Sequence, residues 1–404
     1  MLNVKPLDEA LAICKTEFSS STAAEKVSIN EAAGRVLYED ILADECIPGF
    51  DRSTVDGIAV RAADTFGCSD NMPAQLAFRG EIMMGKNSEA EIKPGDCIGV
   101  PTGGKLPKGA DAVVMVEHTE DFGDGFRYVF KPVSVRENVV LKGDDVSPGK
   151  LVMKKSTRLA PKDIGALAAM GKARISVYKK PVVGIFSTGD EIIPVDQTPG
   201  GAQVRDVNTH MLFSAIQACG GEPLAFGIVK DNETSLSSAI QNALPRCDLL
   251  LVSGGSSAGE KDLTAKIIGD LGKVLVHGIA VKPGKPTIIG SINNKPVFGL
   301  PGHPVSAYFI FHLLVRQVIC SLNNTSPALY STRGILGVNI PSNNGREEYI
   351  PVKFSGVDNN PSVLPVALKS GLITLLSEAD GFIRVERDCE GLAKGGEVQV
   401  YLFS

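Results

Sequence analysis

The chain has no CxxC pair, and none of its five histidines lies close enough to any of its eight cysteines to complete a zinc-binding spacing. Cys14, Cys46, Cys68, Cys97, Cys219, Cys247, Cys320 and Cys389 are scattered, which reads as buried free thiols in a reducing compartment. Basic excess is also missing. With 41 Lys+Arg against 46 Asp+Glu the formal charge is −5, which argues against nucleic-acid binding or an acidic-membrane tether through a general field. Any anionic ligand must therefore be held by a local arrangement of donors. The N-terminal stretch lacks a cationic region followed by an apolar one, and no apolar run approaches the ~18 residues of a membrane span. These absences predict a cytoplasmic protein with no membrane and no nucleic-acid partner. Internal repeats and low-complexity segments are missing too.

What is present is ordinary in composition and ordered in pattern. The 404 residues, 43% hydrophobic and 22% charged, suit a soluble globular chain of more than one domain. After Pro6, residues Leu7, Ala10, Leu11, Cys14 and Phe18 recur at helical spacing. From Val27 to about Val152, short β-branched runs such as Gly57 to Val60, Cys97 to Val100 and Ala112 to Val116 alternate with Gly, Pro and Asp. That texture predicts a strand-rich region with many turns. A short helix is expected over Pro161 to Met170, ended by Gly171.

Between about Lys180 and Asn323 the pattern changes to strand, loop and helix. The apolar runs Val182 to Phe186, Leu249 to Val252 and Val297 to Leu300 each lead into a loop rich in Gly, Ser or Pro. Helical stretches follow over Met211 to Cys219, Leu263 to Leu271 and Val305 to Leu322. Such alternation predicts a parallel, doubly wound α/β sheet with helices on both faces. From Tyr330 the strands return, over Gly334 to Ile340, Tyr349 to Phe354, Phe382 to Glu386 and Glu397 to Phe403, giving a small all-β C-terminal domain.

Loops that follow parallel strands collect along one sheet edge, where ligands bind. In Ser187-Thr188-Gly189-Asp190-Glu191, hydroxyls and free backbone suit an anion while the carboxylates suit a hard cation; a polar turn is the plain alternative. The run Ser253-Gly254-Gly255-Ser256-Ser257-Ala258-Gly259-Glu260-Lys261-Asp262 opens a helix, so its free N–H groups make a phosphate seat. It is neither a P-loop nor G-x-G-x-x-G. Asp262 is either the helix N-cap or a metal ligand. Lys282-Pro283-Gly284-Lys285-Pro286 presents two cations in a stiffened turn and suits a compact oxyanion, unless the lysines are simply solvated. In Pro301-Gly302-His303-Pro304-Val305-Ser306, His303 reads as a helix-turn residue, since no Ser or Cys nucleophile with an acid partner accompanies it. Upstream, Pro48 to Gly57 and Pro101 to Gly104 are dense in turn formers and read as surface turns.

These pieces also occur in a family order. Pro48-Gly49-Phe50-Asp51-x-Ser53-x-x-Asp56-Gly57, Thr102-Gly103, Gly109-Ala110-Asp111-Ala112-Val113-Val114 and the four loops above resemble the molybdopterin molybdenumtransferases, the MoeA and gephyrin E-domain family. The resemblance implies an N-terminal helix (1–26) packed on an α/β molybdopterin-binding domain (176–323) and an elongated linker and dimerisation domain (27–44 with 148–175). It further implies an inserted β-rich domain (45–147) and a barrel-like C-terminal domain (324–404). It implies a homodimer with its active site between subunits, contacts with a molybdopterin adenylyltransferase and molybdoenzyme apoproteins, and a reaction that takes adenylylated molybdopterin and molybdate and releases AMP.

By the same resemblance, catalysis falls to Asp56, Thr102, Asp145, Asp190, Lys282 and Lys285. Substrate binding falls to Ser187, Thr188, Gly189, Ser253, Gly254, Gly255, Ser256, Ser257, Gly259, Pro286, Pro301, Gly302, Ser306, Arg346 and Ser370. Mg²⁺ falls to Glu191, Asp231 and Asp262. Three positions depart from the family pattern: Asn138 to Lys142 replaces an arginine-bearing stretch, His277-Gly278-Ile279 lacks a lysine, and Thr374 stands for a serine. The lost positive charge leaves tungstate in place of molybdate, or a paralogue of weaker turnover, as alternatives; a non-catalytic dimeric cofactor-binding scaffold, which the gephyrin likeness permits, and a phosphate-ester hydrolase using the same loops are the others.

Overall fold

A computed structural model describes residues 4–85, 89–254, 263–342, 345–356, 361–366 and 371–403. Its central element is a six-stranded sheet in the spatial order Glu222–Val229, Val182–Thr188, Leu249–Ser253, Lys295–Leu300, Ile288–Ile292 and Lys273–His277. The first four strands pair in parallel, as the strand-loop-helix pattern predicts. The last two pair antiparallel, which corrects the expectation of a purely parallel sheet. The reason is local: Ile288–Ile292 and Lys295–Leu300 are joined by Asn293-Asn294 alone, both at positive φ (52° and 62°). A two-residue turn of this kind closes a hairpin and leaves no room for a crossover helix.

Strand side chains alternate between two helix layers. Val183, Ile185, Leu249, Leu251 and Phe298 join one buried cluster with the helices Leu7–Glu17, Val207–Ala218 and Pro304–Leu322. Phe186, Leu250, Val252 and Val297 join another with Glu233–Ala243 and Leu263–Leu271. Each such fully buried side chain contributes about 1.5–3 kcal/mol relative to leaving it in water. The helix at Glu233–Ala243 and the strand at Glu222–Val229 had no sequence expectation. The helix at Val207–Ala218 begins four residues before the expected Met211 because Asp206 caps it, accepting from the Thr209 N–H at 3.1 Å. Pro304–Leu322 extends the expected Val305 to Leu322 helix by one residue, and an 18-residue window of it has a mean hydropathy of 1.6. Its Phe309, Phe311, Leu314 and Val315 lie at the heart of the sheet-packing cluster, so its apolar character serves the core of this domain.

The first half of the chain leaves this domain and returns to it. Ala24–Ser28 pairs antiparallel with Arg174–Tyr178, and Ile41–Leu42 pairs with Leu151–Met153. Between those returns lies a six-stranded sheet ordered Ala112–Met115, Gly57–Val60, Asp96–Val100, Ala74–Glu81, Phe126–Val129 and Thr119–Glu120. The expected short helix forms over Pro161–Ala169, and Gly171 (φ 69°) ends it, its N–H donating to the Ala168 carbonyl at 3.0 Å.

At the C-terminus, Glu347–Ser355, Ser362–Pro365, Ser331–Leu336, Glu397–Leu402 and Gly381–Val385 follow one another in space, and the last pairs back onto the first. The result is a small closed barrel, with no free edge among those five strands. All eight cysteines are free; burial pushes the thiols of Cys14, Cys97 and Cys219 up to about 12 and that of Cys247 to about 11, so they are protonated packing groups.

His312 sits where the helix Pro304–Leu322 meets the barrel, 4.4 Å from the Tyr308 ring and 5.8 Å from Phe403 between centroids. Burial, aided by the charge of Arg316, pushes its imidazole down to about 4. Between pH 6.5 and 4 the unfolded chain therefore binds a proton that the folded chain excludes. The stabilisation is present above pH 6.5 and is lost as the pH falls to 4, amounting to about 3 kcal/mol. His312→Phe is expected to flatten that part of the acid-unfolding profile, read by urea midpoints at pH 7, 5.5 and 4.5; an unchanged slope refutes the assignment.

Candidate functional site

The parallel strands end side by side at Thr188, Ser253 and Leu300, and the loops beyond them form one cavity of about 910 Å³. Gly254 makes the approach possible. At φ 105° its N–H donates to the Leu300 carbonyl at 3.1 Å, and a Cβ there would lie 2.1 Å from the Thr188 carbonyl oxygen. Asn208, in the first turn of Val207–Ala218, stitches the same loops. Its amide donates to Ser253 Oγ at 2.7 Å and to the Gly302 carbonyl at 2.8 Å, leaving its own Oδ1 buried without a partner. Ser187 Oγ donates to Asp206 at 2.8 Å and meets Thr209 Oγ1 at 3.0 Å. The hydroxyls of Ser187 and Ser253 thus shape the floor of the cavity.

The expected residues Ser187, Thr188, Gly189, Glu191, Asp231, Ser253, Gly254, Lys282, Lys285, Pro286, Pro301, Gly302, Ser306 and Arg346 all line this cavity. His303 lines it as well, immediately before the helix that starts at Pro304. Asp190 sits just behind, its Oδ1 accepting from the Asp231 N–H at 3.4 Å. Gly255, Ser256, Ser257, Gly259, Asp262 and Ser370 lie outside the described residues. Asp56, Thr102 and Asp145 do not line the cavity; they are exposed on the inserted sheet's side of the chain. They share a surface there: the Thr102 N–H donates to Asp56 at 2.8 Å, Arg52–Ser53 pairs with Val139–Val140, and the Lys142 N–H donates to Asp51 at 2.7 Å. The turns Pro48 to Gly57 and Pro101 to Gly104 are therefore one structure with the segment at 138–145.

Sequence reasoning missed Arg205, Asp206, Asn208, Glu348 and Tyr349, all of which line the cavity. Asp206 and Asn208 carried a signal, since an acid before a helical run is an N-cap. Glu348 carried none, because its partner lies 66 positions away in the chain.

Among the described residues, four cations (Arg205, Lys282, Lys285, Arg346) face four carboxylates (Glu191, Asp206, Asp231, Glu348), so their contribution to the lining is formally neutral. Pairing breaks the symmetry. Lys282 Nζ lies 2.6 Å from Glu348 Oε1, and Asp206 is spent on its helix cap and Ser187. Arg205, Lys285 and Arg346 make no ion pair, nor do Glu191 and Asp231, among the described residues. The lysine loop and Arg346 lie on one wall, because Val281–Lys282 pairs in parallel with Glu347–Glu348 of the barrel. Asp231 lies on another, its carboxylate accepting from Thr188 Oγ1 at 3.4 Å. The Glu191 carboxylate folds over Gly189, its oxygens 2.9 Å from where a Cβ would stand. Among the described residues no group of three or more His, Cys, Asp or Glu side chains is gathered for a metal. The chemistry available is oxyanion binding at one wall and hard-cation ligation at another.

Three family models match the chain: the MoeA N-terminal region (domain I and II) over residues 5–171, the "Probable molybdopterin binding domain" over 184–320, and the MoeA C-terminal region (domain IV) over 333–403. The molybdopterin molybdenumtransferase of Bacillus subtilis is 33% identical over 404 residues, covering 98% of this chain and 94% of that one. That of Haemophilus influenzae is 33% identical over 319 residues, covering 78% and 77%. A solved structure of a molybdopterin biosynthesis MoeA protein from Pyrococcus horikoshii OT3 is 32% identical, with a TM-score of 0.87, covering 99% of this chain and 100% of that one.

Replacing Lys285 or Arg346 with Met removes an unpaired cation from the wall. Each substitution is expected to weaken binding of a tetrahedral oxyanion by roughly tenfold to a hundredfold while leaving the melting temperature unchanged. Calorimetric titration with molybdate measures the first and differential scanning the second.

Proposed function

We propose a mechanism for this chain on the premise that it belongs to the MoeA family of molybdopterin molybdenumtransferases. It is a transferase of molybdenum cofactor biosynthesis. Its reaction takes adenylylated molybdopterin and molybdate, releases AMP and leaves molybdenum on the pterin dithiolene. The observation that carries this reading is the cavity itself, in which cations and acids without ion-pair partners occupy separate walls.

Molybdate, a compact dianion, is held by Lys285 and Arg346 on the cationic wall. Ser306, in the first turn of the helix that starts at Pro304, lends its hydroxyl and the helix N-terminus. The phosphoanhydride lies toward the strand ends, where the backbone at Gly189 and Gly254 comes close to it. Glu191 and Asp231 fit a Mg²⁺ ion, being oxygen ligands with no ion-pair partner on one side of the cavity, and Asp262 lies outside the described residues. When bound, Mg²⁺ screens charge on the scissile phosphoanhydride. The protein's own contribution is to hold two anions side by side in fixed orientation, a cost in mutual repulsion that the cationic wall helps to offset.

Asp56, Thr102 and Asp145 enter through a second copy of the chain. Their shared exposed surface carries Phe50, 42% exposed, and lies outside the cavity of its own chain. In a homodimer this surface of one protomer faces the cavity of its partner, and the site is complete only there.

Adding molybdate to the purified protein with adenylylated molybdopterin and Mg²⁺ is expected to release AMP stoichiometrically with pterin, and chelation of Mg²⁺ is expected to stop it. No release from a folded dimer defeats the reading. For the shared site, Asp56→Asn and Lys285→Met are each expected to inactivate. Co-folding the two variants is expected to restore about one quarter of the activity, because half of the dimers then carry one intact site of two. Absence of any recovery places the site within one chain.

A further inference from the structure

Glu348 is a buried carboxylate in a cavity built for anions. Its side chain is 9% exposed, and it stands on the barrel strand Glu347–Ser355. Its Oε1 lies 2.6 Å from Lys282 Nζ and its Oε2 accepts from Ser342 Oγ at 2.9 Å. The contact is fixed by backbone: Lys282 and Glu348 are register partners where the lysine loop joins the barrel as an extra parallel strand. The loop leaves little slack, since the Lys285 carbonyl accepts from the N–H groups of Ile279 and Thr287, both at 2.9 Å. Lys282 is nevertheless 42% exposed along its side chain, and both it and Glu348 also face a second cavity of about 310 Å³. Among the described residues the ammonium therefore has one buried ion-pair partner, and the second cavity lies beside it.

Resting on the oxyanion reading of the main cavity, we propose that Glu348 is a positioning residue that sets the effective charge of Lys282. In the empty site the carboxylate holds and neutralises the ammonium, so a first oxyanion is captured by Lys285 and Arg346. Lys282 is shared with the substrate only when the anionic ligand competes with Glu348 for it. A buried negative charge this close to an oxyanion site opposes binding, and it opposes least when its own lysine remains partly paired. The arrangement limits affinity and so favours departure of the anionic product.

Glu348→Gln keeps the side-chain shape and an acceptor for Ser342 while removing the charge. Molybdate titrated onto the purified full-length protein is the probe. Glu348→Gln is expected to bind it roughly three- to tenfold more tightly than the natural chain, with a steeper loss of affinity as salt is raised. Lys282→Met is expected to weaken binding about tenfold or more, because it leaves Glu348 buried and unpaired. Adding Glu348→Gln to Lys282→Met is expected to recover at least about threefold of that loss, and this charge-balanced pair serves even if a single variant folds poorly. Unchanged or weaker binding by a folded Glu348→Gln protein, or no recovery in the double variant, overturns the proposal and leaves the oxyanion reading standing. No molybdate binding by the natural chain overturns that reading and this proposal together.

Discussion

The site depends on one close approach: Gly254 lies against the Thr188 carbonyl, with its N–H tied to Leu300, so three parallel strands stop at the same level. Any side chain at that position would push the middle loop away from both neighbours, since the gap to the carbonyl oxygen is 2.1 Å. The floor of the cavity follows from this common edge. Asn208 reaches Ser253 and Gly302 together only because the two loops already meet, and that double engagement offsets the cost of its unpartnered Oδ1, about 1–3 kcal/mol. Dryness matters as much as proximity: Ser187 and Ser253 are each 1% exposed, so the cavity floor is held by hydrogen bonds that water does not weaken.

A second constraint joins this edge to the barrel. The strand pair Val281–Lys282 with Glu347–Glu348 brings Arg346 to the lysine loop. The N-terminal segment secures the loop from behind: the Lys5 N–H donates to the Gly278 carbonyl at 3.0 Å, and the Ala280 N–H to the Lys5 carbonyl at 2.8 Å. Phe309, Tyr349, Phe382 and Phe403 interlock their rings at centroid distances of 5.5–6.3 Å where the α/β domain and the barrel meet. The cationic wall is thus assembled from two domains whose packing is apolar and edge-to-face, which fixes it without consuming the charges it presents.

How much of this could be read from the sequence differs by length scale. Loops that follow apolar runs announced the floor of the cavity, because strand and loop are adjacent in the chain and a parallel sheet gathers such loops. The Pro301 to Ser306 turn was legible for the same reason, whereas the lysine turn was legible from its own composition, two lysines three residues apart between prolines. The antiparallel edge was not, although Asn293-Asn294 is a hairpin signal, because the apolar run at Ile288–Ile292 is short enough to read either way. The strand Glu222–Val229 was hidden because it lies at the sheet edge, with the burial alternation broken by Pro223 and Gly227. Glu348 could not be found at all. An ion pair between residues in different domains leaves no trace in local pattern, and a charged run such as Arg346-Glu347-Glu348 reads as a solvated surface. The family order of motifs implied roles for Asp56 and Thr102, which chain-local chemistry assigned to surface turns.

On the function proposed above, charge pairing is what lets a chain with a formal charge of −5 hold a multiply negative guest. Its cavity is neutral by count, so neither net charge nor composition identifies the ligand. What counts is which charges are already satisfied. Asp206 caps a helix and Glu348 holds a lysine, which withdraws two of the four lining carboxylates from the field that a ligand meets. Only one of the four cations is withdrawn in return. Among the described residues the charges left without an ion pair are partitioned: Lys285 and Arg346 lie at one wall, while Glu191 and Asp231 lie at another. A uniformly basic pocket would bind any phosphate. On the proposed function, a pocket with opposed walls favours a guest that brings an oxyanion to one side and a cation-bearing phosphate to the other, so that arrangement gives specificity where total charge gives none.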